Sequence, residues 1–269
     1  MAEIQTYLDA ASLTWAAAEH FVTLAAEAIA ARGQFAVALS GGSTPRATYA
    51  LLASEEFAAR VDWPRIHIFW GDERCVPPDH PDSNYRMAHE TLLDHVPLPA
   101  RNVHRIHGEI NPKEAAADYE RMLRSFFAQK PRGKGARDDG PIPGFDLILL
   151  GMGADGHTAS LFPDTAALHE QTRWVVAHYV DKLSAWRVTL SPVVINAAAH
   201  VTFVVSGAAK AEGLQEVLSG PYQPDALPAQ IVRPTNGHLL WLADAGAAVH
   251  LEEGKISPGH CVNRVGRKQ

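Results

Sequence analysis

Asp155 and His157 stand two residues apart in Leu150-Gly-Met-Gly-Ala-Asp-Gly-His157, and that spacing couples a group titrating near neutrality to a carboxylate that can orient it. The chemistry this suggests is activation of water by a general base. Gly151, Gly153 and Gly156 permit positive φ or close approach of a ligand. The apolar run 147–150 before them lacks alternation, as expected of a strand covered on both faces. A strand that ends in such a turn presents its residues at the carboxyl edge of an α/β sheet. A packed, hydrogen-bonded histidine is the competing reading, and it suffices for His67, His104 and His107 among the 14 histidines. No Gly-x-Ser-x-Gly elbow is present, which disfavours a serine triad.

Three further loops carry candidate groups. Ser40-Gly-Gly-Ser-Thr-Pro45 offers Gly41, Gly42, Ser43 and Thr44 ahead of a helix, a backbone suited to a phosphate dianion, with a capped tight turn as the alternative. It matches neither the P-loop nor Gly-x-Gly-x-x-Gly. Gly71-Asp72-Glu73-Arg74 places three charges at a strand end. There Asp72 can bind hydroxyls or orient charge and Arg74 can steady an anionic oxygen; a solvated turn is the other reading. Lys210, after Ser206-Gly207, is a candidate phosphate cation, as are Arg46 and Arg187, although solvated side chains would look the same. Asp79, His80 and Asp82 lack metal-ligand spacing and read as a solvated loop.

The elements that must position these groups alternate. Helices are expected over 12–32, with Ser12 as cap and Gly33 as stop, over 45–52 with Pro45 at the first position, over 84–93, over 114–127, after His157, and from Lys210 to near Gly220. Strands are expected over 35–39, 65–70, 145–150, 174–179, 186–189, 201–205 and 239–242. This order predicts one α/β domain over residues 1–269, a mostly parallel, Rossmann-like sheet with helices on both faces. Residues 130–144 read as an exposed loop or linker, and the tail from Gly254 as frayed or peripheral.

Composition narrows the function classes. With 269 residues, 46% hydrophobic and 20% charged, the chain can bury a full core. A net charge of -6 gives no general attraction to nucleic acid or anionic lipid, so an anionic metabolite would need a local basic site. Cys75 and Cys261 are too few and too distant for a disulfide framework. Residues 1–9 lack a signal-peptide pattern and no apolar run reaches spanning length, so the expected location is the cytoplasm, without membrane partners.

Taken together, Leu39-Ser-Gly-Gly-Ser-Thr-Pro45, Trp70-Gly-Asp-Glu-Arg-Cys-Val76, Asp82-Ser-Asn-Tyr85, Leu150 through Pro163, Arg187-Val-Thr-Leu190 and Ser206-Gly-Ala-Ala-Lys-Ala211 resemble the glucosamine-6-phosphate isomerase/6-phosphogluconolactonase family, and specifically its lactonases. The resemblance spans nearly the whole chain. It implies hydrolysis of a phosphosugar lactone, 6-phospho-D-glucono-1,5-lactone, with no metal or organic cofactor. By the same resemblance His157 is the base, Asp155 supports it or contacts sugar hydroxyls, Asp72 lines the pocket, and Arg74 stabilises the oxyanion or binds substrate. Phosphate would lie against Gly42, Ser43 and Thr44, with Lys210 and Arg187 adding charge. A monomer or weak dimer is expected. The family's deaminases carry a Glu after the Asp-Gly-His element where this chain has Thr158-Ala-Ser-Leu-Phe-Pro163, and a non-catalytic sugar-phosphate sensor would add a DNA-binding module for which there is no room before residue 35.

Overall fold

The computed structural model describes residues 3–128, 144–252 and 257–258. Its strands are β1 (Glu3–Tyr7), β2 (Phe35–Leu39), β3 (Ile66–Trp70), β4 (Asp72–Arg74), β5 (Leu147–Leu150), β6 (Val175–Val180), β7 (Ala185–Leu190), β8 (His200–Val205), β9 (His238–Asp244) and β10 (Ser257–Pro258). Its α-helices are α1 (Ala10–Arg32), α2 (Ser43–Leu52), α3 (Glu55–Ala58), α4 (Asn84–Thr91), α5 (Pro112–Ala128), α6 (Pro192–Ile195) and α7 (Ala211–Ser219). Seven strands form one parallel sheet in the order β10-β1-β9-β8-β5-β2-β3. The wholly buried runs Phe-Ala-Val-Ala-Leu and Leu-Ile-Leu-Leu are adjacent interior strands, as burial on both faces requires.

Side-chain alternation assigns the helices to the two faces. Phe35 of β2 points towards α1, where it meets Phe21 edge-on at 5.3 Å. Phe69, which pairs with Ala38 and so projects oppositely, meets Phe126 of α5 at 5.0 Å. Each buried phenylalanine contributes about 1.5–3 kcal/mol.

Several expectations change. Asp9 caps α1, its Oδ1 accepting from Ser12 N at 2.8 Å, while Ser12 is the third residue of a reciprocal capping box. Gly33 does end that helix, at φ 79°. Pro45 lies third in α2, still in the first turn where a missing N–H costs nothing. No helix starts directly after His157; the first helical turn beyond it is Ala166–His169. Thr158 bridges Leu161, Gly153 N donates to His157 O at 2.8 Å, and Ala159 and Asp164 take positive φ, so the backbone bonds close turns instead. The strands expected near 174–179 and 186–189 leave the main sheet. They form an antiparallel hairpin, β6–β7, which joins β4 in a separate three-stranded sheet. β1, unforeseen, pairs with β9, and Ser257–Pro258 pairs with β1 at the sheet edge. Of the expected loop over 130–144, all but Gly144 lies outside the described residues.

Candidate active site

The parallel order β8-β5-β2-β3 brings four strand ends to one edge. The segments that follow them hold, in turn, Lys210, then Asp155 with His157, then Gly41 to Thr44, then, on β4, Asp72 with Arg74. Adjacent strands lie about 4.8 Å apart, so the four loops span roughly 15 Å, the size of a sugar phosphate with its contacts.

The His157 loop is built around absent side chains. A Cβ on Gly153 would lie 2.0 Å from His157 Nδ1 and 2.5 Å from Asp155 Oδ1, so the imidazole and carboxylate occupy the space that glycine leaves. Thr158 Oγ1 donates to Gly151 O at 2.8 Å and ties the loop to the end of β5. His157 Nδ1 and Asp155 Oδ1 are 2.5 Å apart. A carboxylate only accepts, so Nδ1 carries the proton and the Nε2 lone pair is left for chemistry. Phe162 stacks on the ring at 4.2 Å, 24° from parallel. Both side chains remain about a quarter exposed, 29% for His157 and 26% for Asp155, which leaves the pair open to a ligand.

Partial burial pushes the Asp155 carboxyl up, but hydrogen bonds from Lys182 and His157 outweigh it and hold it well below the ordinary carboxylate range. Lys182 Nζ donates to Asp155 Oδ2 at 2.8 Å from the tip of the β6–β7 hairpin. Nothing in the sequence marked Lys182, because the contact spans 27 residues and depends on how the hairpin folds back.

The small sheet supplies the second half of the site. Asp72 and Arg74 point to one face of β4, and their register partners Thr189 and Arg187 share it on β7, as does His178 on β6. Ser160 docks on this face by three bonds. Its Oγ donates to Asp72 Oδ2 at 2.6 Å, its N–H to Thr189 Oγ1 at 3.3 Å, and its carbonyl lies 2.7 Å from His178 Nε2. Asp72 is buried, and its other oxygen faces Asn84 Nδ2 at 3.3 Å. Asn84 in turn lies against Gly41, where a Cβ would sit 1.9 Å from its Oδ1. Asp72 therefore links the His157 loop to the glycine loop. Buried Glu73 accepts from the backbone N–H groups of Arg74, Asn84 and Tyr85 and from Ser83 Oγ, fixing the start of α4; burial pushes its carboxyl up.

Arg74 and Arg187 face each other across β4 and β7, an arrangement of like charges that is unfavourable unless an anion relieves it. Arg74 Nη1 donates to Asp82 O at 2.5 Å; burial, and then Arg74, lower the Arg187 guanidinium from its ordinary value. Gly42 has φ 112° and caps α2 without a side-chain bond, so no side chain of the cap residue covers the first N–H groups of α2. Ser43 is exposed there and Thr44 half-buried. Lys210 follows Gly207, whose N–H is held by Asp244 at 3.0 Å. Asp79, His80 and Asp82 form no metal cluster; His80 Nδ1 accepts from Asp82 N at 3.1 Å. Burial pushes the Cys75 thiol up to about 11, which removes it as a nucleophile at neutral pH.

A family model described as glucosamine-6-phosphate isomerases/6-phosphogluconolactonase matches residues 8–241. The chain belongs to this family. Two members named 6-phosphogluconolactonase are similar to it over most of their length. That of a Nostoc species is 44% identical, covering 83% of this chain and 88% of its own, and that of a Synechocystis species 42%, covering 84% and 88%. Among solved structures, the 6-phosphogluconolactonase of Trypanosoma brucei superposes with a TM-score of 0.80 at 30% identity, covering 94% of this chain and 99% of its own. The superposition shows that this solved structure shares the fold described above. No helix among the described residues is long and apolar enough to cross a membrane.

Proposed function

We propose that this chain hydrolyses 6-phospho-D-glucono-1,5-lactone to 6-phosphogluconate in the oxidative pentose phosphate pathway, in the cytoplasm, with His157 as the base. The observation that carries this reading is the Asp155–His157 pair, in which a carboxylate that accepts at Nδ1 leaves Nε2 as the basic atom of a partly exposed side chain. The high similarity to named lactonases supports the substrate.

In this mechanism Nε2 takes a proton from water as the water oxygen bonds to C1. The carbonyl oxygen becomes an oxyanion, which Arg74 stabilises with Arg187 beside it. Collapse re-forms the C1 carbonyl and breaks the bond to the ring oxygen. That oxygen takes the proton back from the imidazolium, leaving an open-chain acid that ionises to the carboxylate. The phosphate is held by Gly41, Gly42, Ser43 and Thr44 with the charge of Lys210, so binding far from C1 orients the reacting carbonyl. Asp72 supports the pocket by holding Ser160 and Asn84.

Purified protein should speed the disappearance of freshly generated lactone above its spontaneous hydrolysis, followed by acid release. Ammonia release from glucosamine 6-phosphate as the main activity would transfer the chain to the deaminase branch.

A further inference from the structure

The β6–β7 hairpin touches the dyad through one side chain. Its tip, Asp181–Leu183, is a single tight turn closed by Ser184 N donating to Asp181 O at 3.0 Å, with Ser184 at φ 46°. From this turn Lys182 reaches Asp155 Oδ2, while Oδ1 of the same carboxylate faces His157 Nδ1. One carboxylate is thus shared between an ammonium and an imidazole, each on its own oxygen.

We propose that Lys182 is a positioning residue of the reaction: it locks the Asp155 carboxylate towards His157 and takes up part of its charge, keeping the imidazole neutral and ready to accept a proton. The inference rests on the reading of His157 as the base. A carboxylate acting alone on Nδ1 would favour the imidazolium, and an imidazolium cannot deprotonate water. A second cation on that carboxylate weakens the preference without loosening the orientation. With Oδ2 held by Lys182, rotation of the carboxylate away from Nδ1 breaks two hydrogen bonds rather than one.

Other charges flank the loop. The hairpin tip also brings Asp181, and α7, whose Gly213 packs against Ala154 O, brings Glu212 with Lys210 just before it. Asp164 N donates to Asp225 O, and Asp225 pairs with His169. The small sheet brings Asp72, Arg74, His178 and Arg187. Among the described residues, Lys182 is the one charged group outside the pair that is hydrogen-bonded to it.

The test is a pH titration of the His157 ring by heteronuclear NMR in the full-length protein, alongside the pH profile of kcat/KM. Lys182 is 67% exposed, so Lys182→Gln leaves the core untouched and the effect is solvent-screened. In Lys182→Gln the His157 midpoint and the acid limb of kcat/KM should both rise by about half a pH unit, the scale of one screened unit charge at this range. Lys182→Arg should restore both. A midpoint that is unchanged or lowered in Lys182→Gln overturns the proposal. A wild-type chain without lactonase activity would overturn the reaction instead, and the ring titration, which needs no substrate, would still decide what Lys182 does to His157.

Discussion

In the seven-stranded sheet the chemical groups sit on turns that follow the strands and are shaped by local backbone, whereas in the three-stranded sheet they are strand residues fixed by side chains from elsewhere. Gly153 makes room for His157 within its own loop, and Gly42 opens the start of α2 three residues beyond the end of β2. Asp72, by contrast, depends on Ser160, 88 residues away, and Arg74 lies opposite Arg187, 113 positions on. The difference teaches that the base is a local construction while the cationic wall is an assembled one. Local constructions tolerate changes elsewhere in the chain; assembled ones fail when any partner is removed.

The largest expected effect tests the local half. His157→Ala should lower turnover about 10²- to 10⁴-fold with substrate binding little altered, the range for losing a general base. Near-normal kcat would remove His157 from that role and leave the small sheet as the main source of catalysis.

Ser160→Ala probes the joint between the halves. It leaves a buried Asp72 oxygen without its hydroxyl donor, a loss of about 1–3 kcal/mol. Thermal unfolding should move down by several degrees and kcat should fall about tenfold, because Asp72 and the loop after His157 lose their shared anchor. If both are unchanged, the two sheets are not coupled through this residue.

The smallest effect concerns the body that carries both halves. Burial holds His20 and His104 down at about 4 against an ordinary 6.5, so between those values the unfolded chain binds more protons than the folded one. Their contribution to stability is complete above about pH 6.5 and is lost as pH falls towards 4. Tm measured from pH 7.5 to 4.5 should decline through that window, and His20→Gln, which removes one of these half-buried imidazoles, should shallow the decline. An equal slope in the variant would mean that acid acts elsewhere in the molecule.

Much of the site was legible because its signals are short-range. Hydrophobic runs without alternation marked β2 and β5, and the glycines of Gly151-Met-Gly-Ala-Asp-Gly156 marked a turn that needs close approach. The helix expected after His157 failed because its backbone groups are taken by Gly153 and Leu161, a choice that apolar periodicity does not record. Ser160 and Asn84 lay within recognisable motifs, as did Asp72, but that all three meet was not legible, because the motifs are joined only by the fold. His178 and Lys182 carried no signal, since an isolated histidine or lysine on a hairpin looks like an ordinary surface residue until the hairpin is placed.

The alternation of strands and helices, the glycine turns and the adjacency of Asp155 and His157 follow from local sequence, because each depends on residues within one turn or one strand. Long-range packing is what takes β6 and β7 out of the main sheet to β4, sets Arg74 opposite Arg187 and brings Lys182 to the Asp155 carboxylate. The physical reason is range. Backbone conformation is selected by neighbouring residues, while the charge and hydrogen-bond environment of a side chain is set by whatever the fold carries to within about 3–4 Å of it.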